Sequence, residues 1–108
     1  MFDCVKPTRN ARNGMLFTAH GKKKKKKKKW ENDFSPIDEM NLTFVDTLYS
    51  KAYLKHLFSA NEYLGKQIAT IHNLGFYLWL VREARKQILA GDFVTWKNKM
   101  VNQMDKRL

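Results

Sequence analysis

The sequence has a single cysteine and no long apolar run. Because Cys4 is the only cysteine, an internal disulfide and a four-cysteine metal site are both excluded. The longest apolar stretch, Leu74–Val81, is far too short to cross a bilayer. No apolar segment follows the basic N-terminus, which predicts the absence of a secretory signal. These features predict a protein of the reducing cytoplasm that has no membrane partner.

What the chain does contain is typical of one small folded domain. Of its 108 residues, 44% are hydrophobic and 13% are aromatic, which is the composition of a folded chain rather than a disordered one. A chain of this length buries well over half of its unfolded surface. It is nevertheless well short of the length of a large enzyme core.

The positive charge of the chain is concentrated in one tract. The net charge is +11 at pH 7, a value that favours nucleic acid as a partner. Lys22–Lys29 supplies eight of these charges, and without that run the net charge is +3. The run could hold a nucleic-acid backbone by counterion release. The alternatives are a solvated loop or a coding artefact of an adenine-rich stretch.

Local sequence patterns divide the chain into three segments, which are 1–21, 22–49 and 50–108. In the first, Pro7 disfavours helix at Lys6, so a polar loop is predicted there. Asn13 and Gly14 form a strong turn signal before the strand-like Met15–Thr18. The second segment is predicted to consist of loops and short strands.

The third segment is predicted to be helical, because apolar residues recur at three- and four-residue spacing. A first helix is expected around Tyr53–Phe58, and a longer one from about Glu62 to Ala90, closed by Gly91. Asp92 is a plausible N-cap of a last helix. The apolar stripe of the long helix is expected to be Leu64, Ile68, Ile71, Leu74, Leu78, Val81 and Ile88. The apolar face of the last helix is expected to be Phe93, Trp96, Met100 and Met104.

Two groups of residues could carry chemistry. Asp3 stands at the predicted carboxyl end of a short strand, where a carboxylate can face a pocket and attack the anomeric carbon of a sugar. A solvated acid is the other interpretation. Arg9 and Arg12 can clamp phosphates and stack on unpaired bases, while Asn10 and Asn13 can read base edges. The alternative for this group is a polar surface turn.

The sequence resembles the tRNA-guanine transglycosylases. The stretch FDCVKPTRNARNGMLFTAHG is similar to their FDCV-PTR-x-x-R-NG signature. The match continues in order through SPID and through YSKAYLKHLFSANEYLGKQIATIHNLGFYLWLVREARKQILAGDF. The resemblance implies an α/β barrel with an inserted zinc-binding subdomain. It also implies exchange of the wobble guanine of tRNA for a 7-deazaguanine, a step of queuosine biosynthesis, through a covalent ribosyl-enzyme intermediate.

The resemblance assigns roles to particular residues. Asp3 matches the catalytic nucleophile, and Met1–Val5 would be the end of the eighth barrel strand. The residues expected to recognise the wobble nucleotide and its neighbours are Thr8, Arg9, Asn10, Ala11 and Arg12. The fold class that follows is the C-terminal portion of an α/β barrel enzyme, mostly α-helical with a few short strands, with tRNA as its partner.

The zinc ligands of the family are mostly missing from this chain. The resemblance places them, a C-x-C-x-x-C cluster and a later histidine, at Asn41, Thr43, Asp46 and His72. Only His72 is kept, and Asn and Thr are poor zinc ligands, so we expect no zinc and no other cofactor. His72 is then expected to pack or hydrogen-bond beside Phe76 and Trp79. The packing expected to replace the metal's contribution to folding comes from Leu42, Phe44, Leu48 and Tyr49.

Three hypotheses for function stay open. The first is the C-terminal part of a tRNA-guanine transglycosylase. A complete barrel takes roughly 250 residues, and the second catalytic aspartate of the family lies upstream, so the chain alone is expected to be inactive. The second hypothesis is a basic helical module that binds RNA without chemistry. The third is a dimerising structural partner, because this region contributes to a homodimer in the family and an uncovered apolar helix face favours self-association.

Overall fold

A computed structural model of the chain describes residues 6–24 and 28–106. Five helices and one two-stranded hairpin make up this part, together with a short 3-10 turn at Lys28–Trp30. In chain order they are α1 (Lys6–Arg12), β1 (Met15–Thr18), β2 (Gly21–Lys24), α2 (Val45–Leu48), α3 (Lys51–Ser59), α4 (Tyr63–Ala90) and α5 (Phe93–Met104). The prediction of a mostly helical chain with short strands is confirmed. A barrel is not contained in the described ranges.

Turn residues lie at both ends of strand β1 of the hairpin. Gly14 precedes β1 with φ 78°, a left-handed conformation that glycine adopts without steric cost. β1 and β2 pair antiparallel, with Phe17 opposite Lys22. The Thr18 hydroxyl donates to the Gly21 carbonyl at 2.7 Å and closes the turn between the strands. The first lysines of the basic run therefore lie in a strand, since backbone pairing does not depend on their side chains.

The 28-residue helix α4 organises the packing of the chain. Its fully buried residues are Gly65, Ile68, Ala69, His72, Asn73 and Phe76. Of the predicted apolar stripe only Ile68 is buried, whereas Leu78 is 59% exposed and Ile88 58% exposed. The buried face was not identified from the sequence, because four of its six residues are small or polar and hydrophobic periodicity does not register them. Even α4 lacks an apolar stretch sufficient to cross a membrane, and the same holds for the other described helices.

Two apolar clusters flank α4. The first consists of Ala11, Leu16, Ile37, Val45, Leu54, Leu57, Ile68 and Ala69. The second consists of Phe17, Ala19, Phe76 and Met100, with Trp96 and Met104 packed against it. The second cluster confirms the predicted apolar face of α5. Adjacent residues of β1, Leu16 and Phe17, supply one cluster each, because successive side chains of a strand point to opposite faces.

The helix ends agree with the sequence in part. Gly91 ends α4 in the left-handed conformation at φ 82°, as predicted. Asp92 precedes α5 at the predicted N-cap position, but its side chain makes no capping hydrogen bond within the described part of the chain. Ser50, which was not singled out from sequence, caps α3 by accepting from the Tyr53 amide at 3.1 Å.

The close approach of Gly75 to the segment before α2 generates a stability prediction. A Cβ at Gly75 would overlap Thr43 Cγ2. We expect Gly75→Ala to lower the free energy of unfolding by about 1–3 kcal/mol, measured by urea denaturation. In a Thr43→Ser background, which lacks that methyl group, the same change should be neutral or stabilising by up to about 1 kcal/mol, because alanine favours helix. Equal destabilisation in both backgrounds would contradict this explanation.

Candidate functional site

The residues predicted to recognise RNA lie on a helix and not in a loop. α1 spans Lys6–Arg12, which corrects the prediction that Pro7 leaves this region extended. Proline is tolerated in the first turn of a helix because the N–H that it lacks would have no partner there. The helical spacing places Thr8 and Arg12 four residues apart on one face. The motif therefore lies on a helix, where the spacing of its side chains is set by the helical backbone.

α1 is anchored to the rest of the fold by the side chain of Asn73. Its amide nitrogen donates to the Pro7 carbonyl at 3.0 Å and to the Met15 carbonyl at 2.9 Å. Its carbonyl oxygen accepts from the Phe17 amide at 3.1 Å. Sequence reasoning missed Asn73, although it follows His72 directly in the TIHN stretch. A buried amide with three partners fixes the orientation of α1 relative to β1 and α4.

The five predicted RNA-contact residues are not equivalent in the structure. Arg9 and Arg12 are exposed, and Thr8 and Asn10 are half-buried. Ala11 is 0% exposed and belongs to the first apolar cluster. Its side chain therefore packs in the core, and the expected role of Ala11 in RNA recognition stays a prediction. Asp3 lies outside the described residues.

A cavity of about 610 Å³ opens beside α1. Thr8 and Arg12 line it from one side, and Lys66 lines it from the first turns of α4. Tyr63 and Phe44, which are 69% and 66% exposed, also contribute to its walls. Among the described lining residues there are two cations and no carboxylate. The cavity therefore combines positive charge with accessible aromatic rings, which suits an anion that carries a planar base.

Two of the four positions that match the zinc ligands of the family, Asp46 and His72, are in direct contact. Asn41 is exposed, and its side-chain oxygen accepts from the Thr47 hydroxyl at 3.3 Å. The Thr43 hydroxyl is buried without a hydrogen-bond partner among the described residues. Only Asp46 and His72 meet, with Asp46 Oδ1 and His72 Nδ1 2.6 Å apart and both side chains fully buried. This donor set does not fit a tetrahedral zinc, which needs four converging ligands.

His72 forms hydrogen bonds, as predicted. The apolar packing predicted around the four positions matched to the zinc ligands is only partly present. His72 Nε2 lies 2.8 Å from the Phe17 carbonyl oxygen. Leu42 packs against the second cluster and Tyr49 against the first. Phe44 and Leu48 are instead 66% and 63% exposed, so the prediction that they pack against α4 was wrong. Phe44 precedes α2 and Leu48 ends it, and both side chains lie at the surface while Asp46 between them is buried.

The anchoring role of Asn73 can be tested directly. We expect Asn73→Ala to lower the free energy of unfolding by about 2–4 kcal/mol, because one backbone donor and two backbone acceptors lose their partner. The Phe17 amide should also exchange with solvent faster, as measured by hydrogen exchange and NMR. Asn102→Ala, at an exposed position of α5, is the matched control. Similar stability of the two variants would exclude the anchoring role.

Comparison with known proteins places this geometry in a family. The family model described as queuine tRNA-ribosyltransferase matches residues 1–106. The queuine tRNA-ribosyltransferase of Helicobacter pylori is 46% identical over 107 residues, covering 99% of this chain and 29% of the relative. The one of Neisseria gonorrhoeae is 50% identical over 97 residues, covering 90% of this chain and 26% of the relative.

A third relative gives the same result. The queuine tRNA-ribosyltransferase of Aquifex aeolicus is 44% identical over 108 residues, covering 100% of this chain and 29% of the relative. The chain spans less than a third of the length of these relatives. Their names make them transferases that act on tRNA. On the match of nearly its whole length, the chain belongs to the queuine tRNA-ribosyltransferase family.

Proposed function

We propose that this chain serves as the C-terminal portion of an enzyme that exchanges the wobble guanine of tRNA for a 7-deazaguanine. The proposal rests on the cavity beside α1, which Thr8 and Arg12 of the matched motif line together with Lys66. The anticodon loop presents unpaired bases and closely spaced phosphates. Aromatic rings and cations without a competing carboxylate are suited to bind both.

The proposed chemistry is a double displacement on the ribose. The Asp3 carboxylate attacks the anomeric carbon, and the bond from that carbon to guanine breaks as the base leaves with the electron pair. A protonated group must neutralise the departing base. The incoming 7-deazaguanine then attacks the same carbon through its five-membered-ring nitrogen, gives the proton of that nitrogen to the group that protonated the departing base, and releases the carboxylate. The role of this chain would be to supply the nucleophile and to hold the flipped nucleotide in front of it.

The 108-residue chain on its own is proposed to bind tRNA without exchanging guanine. The family resemblance puts the second catalytic aspartate and the base-reading residues in the part of the relatives that this chain does not match. A full barrel of roughly 250 residues is needed to gather such groups at one rim. The alternative, a basic RNA-binding module that has no catalytic role at all, predicts the same binding but no dependence of any exchange reaction on Asp3.

Exchange activity separates these two alternatives. We expect a chimera in which this chain replaces the matching segment of the Helicobacter pylori enzyme to incorporate labelled guanine into tRNA. Asp3→Asn in that chimera should reduce the exchange rate by about 10³-fold or more, because an amide cannot form the ester intermediate. Glu39→Gln, at an exposed position, is the control. Unchanged exchange with Asn at this position would refute the assignment of the nucleophile.

Binding by the isolated chain tests the cavity itself. Arg12→Ala and Lys66→Ala should each weaken tRNA binding by about 5- to 10-fold and reduce its salt slope by about one, since each removes one phosphate contact. Arg85→Ala, on the exposed far half of α4, is the matched control. Fluorescence anisotropy across a salt series is the measurement. An equal effect of all three changes would indicate nonspecific attraction rather than a site.

A homodimer is proposed for the whole enzyme, and one face of α4 supports a role in association. Leu74, Leu78, Val81 and Ile88 recur at helical spacing on that face and are between 44% and 59% exposed. Exposed apolar surface of this extent is typical of a site that another protein surface covers. Either a second copy or the remainder of the enzyme would remove it from water.

A further inference from the structure

We propose that Asp46 and His72 form a hydrogen-bonded pair, called the clamp below, which joins two segments of this chain without a metal. The family resemblance implies that a zinc centre joins the matching segments in relatives. The clamp is a buried hydrogen-bonded pair at two of the four matched ligand positions. It connects the turn before α2 with α4, and through His72 it also reaches β1. The proposal does not depend on the catalytic function argued above, because it concerns only folding and metal content.

The partners of His72 show where its hydrogens must lie. Nε2 is 2.8 Å from the Phe17 carbonyl oxygen, which can only accept, so Nε2 carries a hydrogen. Nδ1 is 2.6 Å from Asp46 Oδ1, and a second hydrogen must lie between these two atoms for them to attract each other. A hydrogen bond therefore joins the imidazole and the carboxylate. A zinc ligand would instead present an unprotonated Nδ1 at this place.

The other oxygen of Asp46 holds the turn. Asp46 Oδ2 accepts from the Leu42 amide at 3.0 Å and from the Thr43 amide at 3.2 Å. Two backbone donors of the matched ligand segment are thereby satisfied by one side chain of the same segment. Both oxygens of Asp46 are occupied, as a fully buried carboxylate requires. One aspartate thus organises a turn that the resemblance assigns to thiolate ligands in relatives.

A metal held by Asp38, Asp46 and His72 is the competing interpretation. One ligand atom from each of these buried residues lies within 4.8 Å of the others. Asp38 Oδ2 is buried and has no hydrogen-bond partner in the described part of the chain. Two ligands of one tetrahedral zinc, however, stand roughly 3.3 Å apart, given bonds of about 2.0–2.2 Å. The 2.6 Å separation of Asp46 and His72 is that of a direct hydrogen bond.

Lys23, in the first part of the lysine run, lies close to Asp38. Its ammonium group donates to the carbonyl of Ile37, the residue before Asp38, at 3.4 Å. Burial, followed by the nearby Lys51, lowers the pKa of Lys23, and the charge of Asp38 acts in the opposite direction. A side chain of the chain itself therefore interacts electrostatically with the buried carboxylate.

The wild-type chain gives the first test. Elemental analysis after purification without chelator should find no stoichiometric zinc or other divalent metal, and a chelator should leave Tm unchanged. Retention of one metal per chain would overturn the proposal in favour of the site that includes Asp38. This readout does not require any variant to fold.

Substitutions give the second test. Asp46→Ala should lower Tm by at least about 10 °C, because it leaves the Leu42 amide, the Thr43 amide and the His72 ring nitrogen without their partner. Glu39→Gln, the exposed control, should leave Tm unchanged. Equal Tm values for the two variants would overturn the clamp. The triple variant Asn41→Cys, Thr43→Cys and Asp46→Cys rebuilds the ligand set of the family around His72, and it should bind one zinc and become sensitive to chelator.

Discussion

The outer edge of strand β1 is hydrogen-bonded to the side chains of a helix, and the arrangement of the other elements depends on this contact. The Phe17 amide donates to Asn73, and the Phe17 carbonyl accepts from His72. Two adjacent residues of α4 thus occupy both backbone groups of one strand residue. A two-stranded hairpin alone is marginally stable, and its open edge would leave these groups exposed to pairing with other chains. Here α4 covers that edge and fixes the hairpin.

This contact explains why the buried face of α4 contains so few large apolar residues. A helix that hydrogen-bonds to a strand must approach it closely and present polar groups, so His72 and Asn73 lie in the centre of the face. Gly65 and Ala69 continue the same face where α4 meets α3 and the first apolar cluster. Leu74 and Leu78 of α4 are consequently left exposed, where they are available to a further surface.

The sequence predicted the elements better than the way they pack. The approximate bounds of α4, its end at Gly91 and the strand Met15–Thr18 could be read from local signals, because turn residues and apolar spacing act over a few positions. The pairing of this strand with β2 was missed, because the lysine run was expected to be a loop. α1 was missed, because a proline in the first turn of a helix resembles a helix breaker when only neighbouring residues are considered. The buried face of α4 was missed for a different reason, since periodicity counts large apolar residues and not the small and polar ones used here.

At the candidate site, too, local sequence patterns identify residues but not how they pack together. The motif and the resemblance located Thr8 and Arg12, but their meeting with Lys66 depends on the packing of α1 against α4, which no local pattern encodes. Asp46 and His72 were identified only as remnants of a metal site. Their direct contact joins residues 26 positions apart and requires the folded chain. The substitutions at the matched ligand positions can be read from the sequence. The hydrogen bond between Asp46 and His72 cannot.

The proposed replacement of a zinc centre by one hydrogen-bonded pair would also have a physical consequence for the turn before α2. A metal attracts every ligand of its cluster, whereas a carboxylate satisfies only the donors that reach its two oxygens. Asp46 reaches Leu42 N, Thr43 N and His72, but the Thr43 hydroxyl and Asp38 Oδ2 stay without hydrogen-bond partners among the residues described. Each such buried group costs about 1–3 kcal/mol. Asp46 therefore holds the backbone of this turn, while two buried oxygens around it stay without a hydrogen bond among the described residues.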